Sequence, residues 1–170
     1  MPVYPTDTAH TAFPALASVP AAIARSRSPQ GSLRRLAQAT GLRPQDRLLI
    51  IGMIDGEALA GLVRSGVASV TVLHPNRPYP AGEQADVVWI VGVEEAGGAA
   101  AAVRLAHRCL VPGGRLLVEL CTAEALTGAA DIAGGLFRRG FSIVRTERLN
   151  PGTALVRGCA PLPRLRHRAA

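Results

Sequence analysis

The chain contains no lysine: all 19 of its basic residues are arginine. That excludes Schiff-base chemistry on a lysine amine and the phosphate-binding lysine of a Walker loop. An arginine-biased coding sequence is the simplest source of the absence. Aromatic residues are scarce at 4% of 170 residues, so the core is expected to be built from Ala, Val, Leu and Ile. The three cysteines, Cys109, Cys121 and Cys159, are odd in number and show no Cys-x-x-Cys spacing. This argues against a disulfide framework or a zinc site and for a reducing cytoplasm. No apolar run approaches the roughly 20 residues that span a bilayer, so no membrane partner is expected. No arginine precedes Arg25, and Pro14 and Pro20 interrupt the early apolar stretch, which therefore does not read as a signal peptide. A cytoplasmic location is expected.

What is present suits one packed domain. Hydrophobic residues make up 48% and charged residues 18%, a balance that supports a core rather than a disordered chain. The net charge of +7 is unevenly placed. Residues 1–137 hold 11 arginines and 11 acidic residues, whereas residues 138–170 hold eight arginines against Glu147 alone. Such a section solvates the surface, or else tracks phosphates and acidic partners. On the second view Arg164, Arg166 and Arg168 would meet nucleic acid or an acidic protein. The shortage of aromatics for base stacking weighs against nucleic acid.

Residues 1–31 are rich in Pro, Ala, Ser and Thr and read as an N-terminal arm, partly flexible. Residues 32–160 form the domain and 161–170 a basic tail. Ser32 reads as the N-cap of a helix ended by Gly41. The unalternating run Leu48-Leu49-Ile50-Ile51 then predicts a strand covered on both faces. A helix over 57–65, a strand over 69–73, a strand over 86–91 and an alanine-rich helix over 98–110 follow. Pro112-Gly113-Gly114 should stop that helix and turn into a strand over 115–120. After a helix over 123–138, strands over 141–148 and 153–158 flank Asn150-Pro151-Gly152 and should pair as a hairpin. Alternating strand–helix units ending in a hairpin predict an α/β three-layer sandwich.

From residue 33 to about residue 159 the chain resembles the class I S-adenosylmethionine-dependent methyltransferases. The resemblance rests on Leu36-Ala37-Gln38-Ala39-Thr40-Gly41-Leu42-Arg43-Pro44 leading into Leu48-Leu49-Ile50-Ile51-Gly52. It rests also on Cys109-Leu110-Val111-Pro112-Gly113-Gly114-Arg115-Leu116-Leu117-Val118, the family's helix, Pro-Gly-Gly and strand signature. It implies a Rossmann-like methyltransferase sandwich, mostly parallel, with the C-terminal antiparallel hairpin as a second hallmark. S-adenosylmethionine is the cofactor it implies; no metal is expected.

Carried onto this sequence, the family's cofactor loop is Ile50-Ile51-Gly52-Met53-Ile54-Asp55-Gly56. Gly52, Asp55 and Gly56 are the expected cofactor contacts, but Ile50 stands in place of the family's acid and Ile54 in place of its middle glycine. The place of the acid expected to accept the ribose hydroxyls after the second strand is taken by His74, a single acceptor when neutral. Only residues 74–85 separate the second and third strands, and Pro75, Pro78 and Pro80 lie among them. Twelve residues reach at most roughly 40 Å, too little for the family's extra helix and edge strand, so one edge strand should be missing. The strand at residues 69–73 would then be uncovered, to be covered by the N-terminal arm or by the same strand of a second copy in a homodimer.

Ligands of such sheets sit beyond the carboxyl ends of the strands. The polar side chains expected there are Asp55 and Glu57, His74, Glu94 and Glu95, and Cys121 and Thr122. Glu94 or His74 would be the general base if the acceptor must lose a proton. Simpler readings are a solvated loop for Glu94 and Glu95, a turn residue for His74, and buried inert packing for Cys121 and Trp89. No Asn/Asp-Pro-Pro-aromatic or Pro-Cys motif is present, which disfavours methylation of DNA bases. The sequence therefore reads as a methyltransferase-like chain with a degenerate cofactor site, serving as a non-catalytic binding or regulatory module. The alternative is an active small methyltransferase with a relaxed site and an unknown substrate.

Overall fold

The computed structural model describes residues 29–73, 83–93 and 96–162. His74, Glu94, Glu95, most of the N-terminal arm, and the tail residues Arg164, Arg166 and Arg168 lie outside them. The described elements are α1 (Pro29–Thr40), β1 (Arg47–Gly52), α2 (Gly56–Arg64), β2 (Ser69–Leu73) and β3 (Ala85–Val93). They continue with α3 (Ala96–Cys109), β4 (Leu110–Leu120), α4 (Ala125–Arg138), β5 (Ser142–Asn150) and β6 (Thr153–Cys159).

The six strands form one sheet in the order β2-β1-β3-β4-β6-β5. β2, β1, β3 and β4 are parallel, and β6 runs antiparallel between β4 and β5. This is the predicted sandwich with its terminal hairpin. Among the described residues no strand lies outside β2, as the short linker of residues 74–85 implied.

Both faces of the central strands are buried, which explains their unbroken apolar runs. Leu49, Ile51, Val88, Ile90 and Val118 pack on one face against Ala99, Ala102, Val103 and Ala106 of α3 and Ala129, Ile132 and Leu136 of α4. Alanine at the contact positions of α3 lets that helix lie close on the sheet. On the other face Leu48, Ile50, Val87, Trp89 and Leu117 pack with Leu36 of α1 and Leu62 of α2. Trp89 is fully buried, and its indole N–H donates to the Thr40 hydroxyl at 3.3 Å. No helix among the described residues is long and apolar enough to cross a membrane.

Three local expectations are corrected. α1 starts at Pro29, so Ser32 lies within the helix rather than capping it; proline suits the first helical turn, where its missing N–H has no partner to lose. Pro112-Gly113-Gly114 does not precede the strand but loops out of it. Five residue steps along β4, from Leu110 to Arg115, match two along β3, from Ala85 to Val87. Cys121 is exposed rather than buried.

α1 ends as its sequence foretells. Gly41 adopts a φ of +57°, and its N–H bonds the Gln38 carbonyl while that of Leu42 bonds Ala37. This double closure needs the left-handed conformation that glycine adopts without penalty. At the same end of the sheet, β1 is tied to β3 by Arg47. Its backbone N–H and its Nε both donate to Asp86 Oδ2, at 2.9 and 3.0 Å, and Nη2 donates to Oδ1.

The hydrogen-bonding Arg47 guanidinium holds the Asp86 carboxyl below its ordinary value of 3.8, against the opposing effect of desolvation. A depressed folded-state pKa stabilises the fold above the unfolded value and loses that contribution as pH falls through the folded one. Because the pair is partly exposed, the effect is at most about 1 kcal/mol. Urea midpoints of the wild type and Asp86→Asn should therefore differ at pH 7 and converge below pH 3.8, the wild type losing its advantage on acidification.

Candidate functional site

The order of the strands reverses between β1 and β3, since β1 is followed spatially by β2 on one side and β3 on the other. Crevices at such switch points, beyond the carboxyl ends of the strands, are where α/β sheets hold ligands. Gly52 pairs with Val91, Ile51 with Leu73 and Val93 with Leu120, so the ends of β1, β2, β3 and β4 share one rim. The structure brings Gly52, Asp55 and Gly56 together there with Cys121 and Thr122. The candidate bases Glu94 and His74 follow β3 and β2 in sequence and fall outside the described residues.

Gly52 has a φ of +124°, and a Cβ placed there would stand 1.8 Å from the Val91 carbonyl oxygen. Glycine is therefore required by the approach of β1 to β3, whatever binds beyond. The Met53 N–H donates to that carbonyl at 3.2 Å, and its side chain points out, 71% exposed. Ile54 packs against the core on the α1 and α2 face. Asp55 caps α2: its Oδ1 accepts from the Ala58 N–H at 2.6 Å, and Glu57 adds a second acid in the first turn. Both complement the exposed amides and positive end of the helix.

Gly56 alone is unexplained by the chain, for a Cβ there would meet nothing within 4 Å. Ile50 is fully buried between Leu48, Trp89 and Leu62 on the inner face of the sheet. A carboxylate at that position would lie in an apolar core. Among the described residues no group of three metal-ligating side chains is found.

The cysteines differ in environment. Burial pushes the Cys109 thiol above its ordinary value, against the weaker opposing effect of Arg108. Cys159 is half-buried and Cys121 exposed on the rim. Because the thiolate is the reactive form, maleimide at neutral pH should label Cys121 first and Cys109 only in denaturant. Peptide mapping over time checks that order.

The described surface includes cavities of about 240, 440, 300 and 320 Å³, and none of these is lined by residues 52–56. One of them brings Arg145 and Arg157, both from the basic C-terminal section, beside Arg115 of the Pro-Gly-Gly signature. It lies at the opposite end of the sheet and is lined by Arg115, Arg145 and Arg157. No signal in the sequence points to it, because the hairpin register that sets Arg145 opposite Arg157 is irregular.

In sequence, neither a family model nor a curated protein matches the chain. Solved structures do match in shape. The glycopeptide N-methyltransferase MtfA, complexed with sinefungin, aligns over 81% of this chain and 96% of its own, with a TM-score of 0.61 at 12% identity. A methyltransferase from Pyrococcus furiosus aligns over 80% and 84%, with a TM-score of 0.55 at 16% identity. The S-adenosylmethionine-dependent methyltransferase SibL, in its apo form, aligns over 78% of this chain with a TM-score of 0.57 at 19% identity. This chain spans 55% of SibL's length. At such identities the likeness concerns architecture. Strand order, terminal hairpin and neighbours together establish that the chain has the class I methyltransferase fold.

Proposed function

We propose that the chain is a methyltransferase-like module that binds or regulates a partner and does not turn over S-adenosylmethionine. The observation that carries this reading is Ile50, fully buried in the core at the position where the resemblance calls for an acid. Around it, Gly52 and Asp55 are already explained by strand packing and helix capping. Ile54 brings a branched side chain where the backbone should be bare. Residues of this kind do not fit the polar head of the cofactor.

Gly56 favours the second reading, an active methyltransferase with a relaxed site. Its open surroundings are what close approach of a ligand would need, and nothing else in the chain demands glycine there. Human N-acetylserotonin methyltransferase, similar in shape with a TM-score of 0.54 at 13% identity, was solved in complex with SAM. On this reading Glu94 or His74 would be the base.

Calorimetric titration of the purified chain with S-adenosylmethionine and S-adenosylhomocysteine separates the two. The module reading expects no heat and no thermal shift at millimolar ligand. Saturable binding in the micromolar range overturns it in favour of the enzyme.

A further inference from the structure

At the end of the sheet away from the switch point, the cavity of about 240 Å³ lies beside the C-terminus of α1, against β4, β5 and β6. Among the described residues three arginines line it and no acidic residue does. Two of them are anchored by the chain itself. Arg115 donates to the carbonyls of Thr40 and Gly41 and to Asp46, the last at 2.6 Å. Arg157 donates one N–H to the Ala39 carbonyl at 3.2 Å. A guanidinium carries five donors, so Arg157 keeps most of its own for something else.

Arg145 is different. It is exposed, and no hydrogen bond or ion pair joins it to any described residue. It stands directly opposite Arg157 in the antiparallel pairing of β5 with β6. Like charges at facing positions repel, and an anion lying between them would turn that repulsion into a bridge.

The backbone beside this pair is also unusual. The register of β5 shifts between Ser142 and Arg145, and within that irregularity Ile143 has a φ of 54°. A β-branched residue in the left-handed region is strained, and bulges of this kind re-aim side chains next to functional sites. The result sets an apolar side chain, 64% exposed, on the wall of the arginine cavity.

We propose that this cavity binds the phosphoryl group of a small organic phosphate, its oxygens held by Arg145 and Arg157 and its organic part resting on Ile143. Planar guanidinium forks match tetrahedral oxyanions in bidentate fashion. A dianionic phosphate also answers two guanidiniums that have no carboxylate facing them. Among the described residues no aromatic side chain lines the cavity to give a nucleotide base a stacking platform.

The test is calorimetric and thermal titration of the full chain with inorganic phosphate and with phenyl phosphate, at constant ionic strength set by chloride. Succinate and a single-stranded oligonucleotide are run in parallel. Both phosphates should raise the melting temperature saturably, with phenyl phosphate the tighter. Arg145→Ala should weaken both at least tenfold while leaving the unliganded melting temperature unchanged or higher, because Arg145 supports nothing in the fold. The proposal is overturned if phosphate acts no better than chloride, or if Arg145→Ala binds as the wild type does. Tighter binding of succinate, or of the oligonucleotide, overturns it as well and reassigns the surface to carboxylates or to nucleic acid. The outcome is independent of whether the rim at the other end binds S-adenosylmethionine.

Discussion

Ile50→Asp, the substitution that would restore the acid of the methyltransferase loop, should unfold the protein instead of creating a cofactor site. Ile50 is fully buried and pairs with Val72 and Trp89 in the ladders on either side. Its neighbours on that face are Leu48, Leu62, Val87 and Leu117, none of which offers a hydrogen bond to a carboxylate. An ionised group without a partner in such surroundings costs about 4 kcal/mol or more, in addition to the lost packing. A domain of this size has roughly 5–15 kcal/mol in total. Urea denaturation of Ile50→Asp beside the isosteric Ile50→Asn separates charge from polarity, with the aspartate variant the less stable at neutral pH. An aspartate variant that keeps the wild-type midpoint would mean that the position opens to solvent, and the module reading would lose its main support.

Arg115→Ala should be nearly as damaging, although the side chain lies at the surface end of β4. Its guanidinium joins two carbonyls at the end of α1 to the carboxylate of Asp46, whose side chain is only 7% exposed. Removing it strands that carboxylate, held otherwise by the Arg43 backbone N–H at 2.6 Å. Breaking one side of a buried pair costs about 3 kcal/mol or more. Neutralising both sides, with Arg115→Met and Asp46→Asn together, should recover a good part of the loss. If Arg115→Ala and the double variant melt alike, the pair does not hold α1, and the packing of Leu36 does so alone.

The architecture was legible in the sequence because every central strand is buried on both faces. Leu48-Leu49-Ile50-Ile51 and Asp86-Val87-Val88-Trp89-Ile90-Val91 announce themselves by composition, and the glycines and prolines between elements mark the turns. Counting residues 74–85 was enough to foresee a sheet that ends at β2 among the described residues.

The candidate site was legible only as substitutions in a familiar loop. Spacing tells that Asp55 precedes a helix, but not that its carboxylate is engaged by the Ala58 N–H. The arginine cavity was hidden for a geometric reason. Asn150 pairs with Thr153, and a regular hairpin counted back from there would set Thr146 opposite Arg157. The irregularity between Arg148 and Asn150 moves the register by one, so Arg145 takes that place. One residue of slip carries a side chain to the other face of a sheet, and nothing in the local sequence marks where the slip occurs.

The clamp on α1 bears on how the chain is made. The helix is the first described element to leave the ribosome, yet its final carbonyls are held by Arg115 and Arg157, 75 and 118 residues downstream. Contacts of such sequence separation form late, because the intervening loop must close first. While β1 to β4 assemble in order of synthesis, the end of α1 has half of its clamp, and it gains the rest only when β6, inserted between β4 and β5, has emerged. A chain truncated before Thr153 should therefore carry a frayed α1, with rapid amide exchange at its C-terminal turn. The first described helix waits for the last described strand.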